Sequence, residues 1–415
     1  MTDNTDVGFR LPLIRSQEFL LGFYLIGVYL ANEISFLTGF DNANTILFAL
    51  IGLAIIIRAI TRWKDLATNV DCIYPIILST LLVWLTIMQL DYSRVAFIHV
   101  VMYAMLPFLI YINDFDALKL LRSILLLSIL LIPSAICLAN LYDEKWRMPL
   151  SYALTTPVVA SIVLIRYYAK NLRQTDMILI FVSVVFAVIM LMYGKRGPIL
   201  VIAVCVLMVF LKPPSRTIEL SGKQIAALAI TALVGFFVIT NLESIFLRLI
   251  GIFNSVGIEA GAISRTLDLV GTRYGIDAGR GELLPVSINL FLEHPFLGNG
   301  LGSFYYVNAG GHVMTYPHNF VLQLLDDGGA VLALLVLTPI LRLFPKMLVS
   351  DHLDYYVMYI FLFVLAVPHF LVSSEIFHQP ELWCLVAYSH YYNSQALSHR
   401  ESASHTSPNR RPYAS

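Results

Sequence analysis

Charge is scarce in this 415-residue sequence. Asp, Glu, Lys and Arg make up 13% of it, against about 25% in a soluble globular domain. With 58% hydrophobic residues, there are too few polar groups to cover a water-facing surface. Net charge is missing too, since 27 cations balance 27 acids, and this removes the basic field that draws a protein to nucleic acid. Cysteine is rare. Cys72, Cys137, Cys205 and Cys384 have neither paired spacing nor neighbouring histidines, so they read as small buried hydrophobes and not as a disulfide frame or metal site. The polar start, Met1 to Glu18, leads into an apolar run with no small-x-small cleavage signal, so the first span is expected to remain uncleaved. No internal repeat suggests the paired halves of a transporter.

What the chain does have is long apolar runs. A membrane-crossing helix needs about 20 mostly apolar residues. Candidates are Phe19–Phe36, Thr45–Ile60, Cys72–Leu90, Val95–Ile112, Ile124–Leu141, Tyr152–Tyr168, Met177–Tyr193, Pro198–Leu211, Ile225–Thr240, Gly329–Phe344, Tyr355–Val372 and Leu382–Tyr392. The expected fold class is an all-α polytopic membrane protein of about 12 transmembrane helices with one large outer loop, a periplasmic loop if the organism is a Gram-negative bacterium. Its expected parts are a cytoplasmic N-terminus (1–18), nine helices (19–240), the loop (241–328), three helices (329–392) and a tail (393–415). The tail, rich in Ser, His, Arg and Pro, is expected to be disordered and cytoplasmic.

Orientation follows from Lys and Arg near the span ends. Eighteen of the 27, including Arg58, Arg122, Arg166, Lys346 and Arg400, fall on the side that carries both termini; nine fall on the other. The richer side is expected to be cytoplasmic. Four of the nine outside cations, Arg248, Arg265, Arg273 and Arg280, lie in the single interval Asn241–Asn319, and Lys195 and Arg196 stand at the outer end of a helix hairpin. Cations kept against the topological bias suggest an anionic ligand. For any one of them, pairing with Glu243, Glu259, Asp268, Asp277 or Glu282 is the plain alternative. Within the interval, Ile245, Leu249, Ile252 and Phe253 recur at helical spacing, as do Leu284, Ile288, Phe291 and Leu292. These are expected to be short amphipathic helices that lie on the membrane surface or dock on the bundle.

The interval closes with Arg280-Gly281-Glu282, the second amphipathic segment, His294-Pro295-Phe296-Leu297-Gly298-Asn299-Gly300-Leu301-Gly302, Tyr316-Pro317-His318-Asn319-Phe320 and Asp326-Asp327-Gly328-Gly329. Here the chain resembles the bacterial O-antigen ligase and polymerase family: an arginine, an amphipathic helix, Pro-x-x-Gly-x-Gly, then His-Asn before a membrane helix. Tyr193-Gly194-Lys195-Arg196-Gly197-Pro198 is similar to that family's Arg-Gly turn, with Lys195 where a small residue is usual. The resemblance implies an integral membrane glycosyltransferase of the bacterial inner membrane, with no cofactor. Its donor would be a polyprenyl (undecaprenyl) diphosphate-linked glycan and its acceptor a saccharide or a lipid A core sugar, with other polysaccharide-assembly proteins as partners. Polymerase is slightly preferred over ligase.

The residue types agree with that chemistry. A diphosphate leaving group suits guanidinium, which offers phosphate oxygens a rigid bidentate fork; Arg196 and Arg280 are the first candidates, with Arg273 and Lys195 behind them. A histidine with an ordinary pKa near 6.5 can accept a proton from a sugar hydroxyl at neutral pH, and His318 is the candidate base. Headgroup contacts for Lys195 and Arg196, and a plain capping role for His318, remain open on the residues alone. Gly298 to Gly302 lack the preceding strand of a nucleotide loop, and Asp114-Phe115-Asp116 reads as capping, so no metal is expected. His99 and His369 read as neutral histidines inside spans. A flippase or exporter of lipid-linked sugars is the competing reading; such carriers usually keep acids within their spans, where Glu33 is nearly alone.

Overall fold

The computed structural model describes residues 16–39, 43–61, 72–89, 97–110, 115–140, 144–193, 196–211, 251, 255, 280–307, 313–349, 352–372, 376–377 and 380–405. The helices are α1 (Gln17–Thr38), α2 (Ala43–Thr61), α3 (Ile73–Met88), α4 (Phe97–Ile110), α5 (Ala117–Leu127), α6 (Ile132–Asn140), α7 (Glu144–Tyr168), α8 (Gln174–Tyr193) and α9 (Arg196–Leu211). After the long interval come α10 (Leu283–Glu293), α11 (Phe320–Val349), α12 (Leu353–Val372) and α13 (Glu381–His405). A two-stranded antiparallel ribbon, β1 (Tyr306–Val307) and β2 (Val313–Met314), joins α10 to α11.

Local sequence explains several boundaries. The Ser16 hydroxyl accepts from Phe19 N–H to start α1, and Gly39 closes it in the left-handed region, its N–H donating to Ser35 O, as helix C-termini commonly do. Asp116 caps α5 by accepting from Lys119 N–H at 3.0 Å. Asn319 caps α11, its Oδ1 accepting from Val321 and Leu322 N–H at 3.0 and 3.3 Å.

Every candidate span falls on a helix except Ile225–Thr240, which lies outside the described residues. Among the described residues, 5 helical stretches are long and apolar enough to cross a membrane: Gln17–Thr38, Ala117–Ala139, Pro149–Asn171, Phe320–Leu348 and Leu353–Leu371. The protein is an all-α membrane protein. Helix α1 packs on α2, α5 and α7, and α12 packs on α9, α13 and α7. Outward faces remain apolar, as at Leu50, Ile57, Ile76, Phe181, Leu334 and Leu341, which suits contact with lipid chains and not water.

Three expectations change. Helix α11 begins at Phe320, well before Gly329, because Asn319 caps it there. Helix α13 continues to His405, past Asn393, where a disordered tail was expected; once nucleated a helix adds a bond per residue, and Gln395, Ala396, Leu397 and Ala403 are good helix formers. All four cysteines are free, but Cys72 is exposed at the start of α3 and not buried.

Side-chain bonds sort the helix ends into two sets. Asp116 N–H donates to Glu18 at the start of α1, Arg58 at the end of α2 donates to Gln17, and Arg122 on α5 pairs with Asp176 of α8 at 2.9 Å. Tyr168 at the end of α7 bonds Asp354 of α12, and Lys346 of α11 bonds Asn393 of α13. These residues share one end of the bundle. The end of α3 and the starts of α9, α11 and α13 lie at the other.

Candidate functional site

The second end is organised by a break in α11. Gly329 has φ 63° and ψ −163°, a conformation essentially reserved for glycine. In a continuous helix the N–H groups of Ala330 and Val331 would bond the carbonyls of Asp326 and Asp327. Instead Ala330 N–H donates to Pro295 O at 2.8 Å and Val331 N–H to Phe296 O at 3.1 Å, while the Asp326 and Asp327 carbonyls accept from Asn299 and Gly300 N–H, both at 2.9 Å. The 295–300 loop is inserted into the helical ladder, and the groups freed by the break are all paired, as buried backbone requires. So close an approach leaves no room for side chains. A Cβ at Gly298 would lie 2.4 Å from Asp327 O, and one at Gly329 2.5 Å from Phe296 O.

Side chains extend this clasp. Asp327 Oδ1 accepts from Gly302 N–H at 3.1 Å. Asn299 Nδ2 donates to Leu290 O of α10 at 2.8 Å, and Asn299 O accepts from Gln89 Nε2 at the end of α3 at 2.9 Å. Leu301 N–H reaches the Leu85 carbonyl at 3.2 Å, one of the groups a helix end leaves unpaired. Asp326 is fully buried, and its carboxyl faces the equally buried Ser287 hydroxyl of α10.

His318 stands at the mouth of α11, one residue before the cap. Among the described residues it alone, other than glycine, has a positive φ, 56°, a conformation uncommon for residues with a Cβ and associated with functional sites. It is half-buried, its Nδ1 is shielded from solvent, and its ring lies 4.3 Å from that of Tyr316. One turn into α11, Gln323 Oε1 accepts from Ile376 N–H, and Trp383 Nε1 donates to Ile376 O at 2.7 Å, tying the mouth of α11 to the start of α13.

Arg280 opens a 3₁₀ turn, Arg280–Glu282, that runs directly into α10, and Arg196 is the first residue of α9. Arg273 and Lys195, like Arg265, lie outside the described residues. The clasp therefore connects the turn carrying Arg280, through α10 and Asn299, to the helix headed by His318. Arg196 reaches the same end on a separate element. The amphipathic segment is a helix, α10, with Leu283 and Ser287 turned inward and Leu284, Ile288 and Leu292 outward. The other amphipathic segment, around Ile245, lies almost wholly outside the described residues. No group of three His, Cys, Asp or Glu could hold a metal ion among the described residues.

Sequence reasoning missed Gln89, Asn319 as a cap, and the two aspartates as parts of the clasp. Asn319 carried a usable signal, an Asn directly before an apolar run. Gln89 carried none, because its partner is 210 positions away.

Residues 181–337 match the O-antigen ligase family. The stretch from Arg280 to Gly329 on which the resemblance rested lies wholly inside this match, which also extends back over the Tyr193–Pro198 turn. No curated protein matches the chain.

Proposed function

We propose, with that match as premise, that the protein is an integral membrane glycosyltransferase of cell-surface polysaccharide assembly. Its donor is a glycan on polyprenyl diphosphate and its acceptor a sugar hydroxyl. The observation that carries this reading is the placement of His318, held left-handed directly ahead of a helix cap on an element locked to the Pro295–Gly300 loop. In this mechanism the acceptor oxygen attacks the anomeric carbon, the bond from that carbon to the diphosphate oxygen breaks, and the configuration inverts. The acceptor proton passes to His318. With Nδ1 turned into the protein, Nε2 is the nitrogen assigned to receive it. Arg196 and Arg280 hold the departing diphosphate, with Arg273 and Lys195 as further contributors. Arg196 is the first residue of α9 and Arg280 opens the turn that leads into α10. The step uses no metal.

We further infer that the chain has about 12 spans, with both termini cytoplasmic and the clasp on the periplasmic side of the inner membrane. Polymerase is kept slightly ahead of ligase. The flippase reading draws on Glu33 and Glu381, buried inside the bundle where a carrier would bind its coupling ion. Each already accepts a hydrogen bond, from Ser134 and Tyr29 respectively, which suits helix packing as well as transport.

The test is mass analysis of surface glycan in a deletion strain, together with transfer by the purified protein in liposomes. Polymerase loss leaves caps of a single repeat unit, and ligase loss leaves completed chains on the lipid carrier. Donor crossing the bilayer in liposomes without any sugar transfer would replace this reading with the flippase.

A further inference from the structure

Arg196 heads α9, and the residue that follows it is pressed against α7. A Cβ built on Gly197 would lie 1.9 Å from the Tyr152 hydroxyl oxygen and 2.9 Å from Cζ, so the backbone of this turn rests on the phenol. Tyr152 is itself buried and stacked face to face on His369 of α12, with ring centroids 3.5 Å apart and an interplanar angle of 20°. His369 in turn stacks on Phe370. It is 1% exposed, and its Nε2 has no hydrogen-bond partner among the described residues. A buried imidazole left with an unpaired nitrogen costs stability that an apolar side chain would not. Leucine or phenylalanine would fill such a place more cheaply if packing alone were wanted.

We propose that Tyr152, backed by His369, is a positioning residue for Arg196. The stacked pair forms a rigid stop in the bundle, and Gly197 allows the first turn of α9 to seat on it without an intervening side chain. The depth of that turn fixes where the Arg196 guanidinium starts, and so its registration on the donor diphosphate. A displacement of about 1 Å can cost a hundredfold in a reaction that depends on alignment. The inference rests on the diphosphate-binding role proposed for Arg196.

The test is a double-mutant cycle on the full-length protein reconstituted in liposomes, with a synthetic polyprenyl diphosphate-linked oligosaccharide as donor. Tyr152→Leu should raise the donor KM by about tenfold, the scale of one misplaced charge-assisted hydrogen bond, with a smaller effect on kcat. Combined with Arg196→Ala it should add almost nothing, because it acts through that arginine. Gly197→Ala should resemble Arg196→Ala and should be partly restored by Tyr152→Leu in the same chain, which removes the colliding oxygen. Multiplicative losses in the double mutant, with no rescue of Gly197→Ala, would show that Tyr152 contributes packing alone and overturn the inference. If Arg196→Ala left donor KM unchanged, the diphosphate role of Arg196 would fall and the inference with it, an outcome separable from the first because it appears in the single mutant. Tyr152→Phe, which keeps the stack and removes only the hydroxyl, guards against variants that fail to fold; an unchanged donor KM for it alongside a raised one for Tyr152→Leu would still assign the positioning to the ring.

Discussion

At His318 the backbone and the side chain make separate demands. A left-handed φ of 56° is tolerated by Asn better than by most residues with a Cβ, whereas only the imidazole can take a proton near neutral pH. His318→Asn should therefore fold and reach the membrane at normal level and bind lipid-linked donor. Its transfer rate should fall by roughly a hundredfold to ten-thousandfold, the usual contribution of a positioned base. His318→Ala should lose transfer equally and some stability besides. Near-normal single-turnover transfer by the Asn variant would mean that the residue places the acceptor without deprotonating it. The two arginines call for a different comparison. Arg196→Lys and Arg280→Lys keep the charge but lose the bidentate fork, so each should recover only part of the donor affinity lost in the alanine variant. Full recovery in a titration of donor binding would reduce the contact to simple charge attraction. His318 and both arginines could be proposed from the sequence because each sits in a short local pattern. The left-handed backbone of His318 could not, since a positive φ at a residue with a Cβ is held by the surrounding structure, within a loop tied to residues far along the chain.

The elements were legible to differing degrees, for one physical reason. An apolar run long enough to cross a bilayer must form a helix, because lipid offers the backbone no other hydrogen-bond partner; hence the candidate spans fall on helices wherever the chain is described. A break inside a helix has no such compulsion. Asp326-Asp327-Gly328-Gly329 reads as a loop, and nothing nearby reveals that Pro295 and Phe296 supply the missing carbonyls. Glycines permit so close an approach, but nothing in their spacing names the helix they meet. The clasp predicts its own fragility. Gly298→Ala would push a methyl group to 2.4 Å from the Asp327 carbonyl oxygen and force a side chain into the left-handed region, at φ 69°. Strain of that kind costs about 1 to 3 kcal/mol before any steric conflict is relieved. The variant should show a lower thermal midpoint in detergent and lose transfer, whereas Ser303→Ala, which removes only two long contacts of 3.5 Å, should be close to neutral. Equal melting of Gly298→Ala and the parent protein would mean that the loop does not brace α11.

Across the whole molecule, a charge count and a geometry agree. Cations outnumber two to one on the side assigned to the cytoplasm, and the helix ends tied together by Glu18, Arg58, Arg122, Asp176 and Lys346 form that side as one physical surface. The clasp, with His318 and the starts of α9 and α10, belongs to the opposite end. If the positive-inside bias sets the orientation, the clasp faces the periplasm, where no nucleotide-sugar pool exists and a lipid-linked donor is the available activated sugar. Two positions can decide this. Cys72 is exposed at the start of α3, on the proposed cytoplasmic end, and Tyr305 is 64% exposed beside the clasp. In intact cells a membrane-impermeant thiol reagent should modify a Tyr305→Cys variant and spare Cys72, and a permeant reagent should reach both. A Cys72→Ser background isolates the first signal. Labelling of Cys72 but not of Tyr305→Cys by the impermeant reagent would turn the molecule over and place His318 in the cytoplasm, where nucleotide sugars would compete as donors and the case for a polyprenyl diphosphate substrate would lose its compartmental basis.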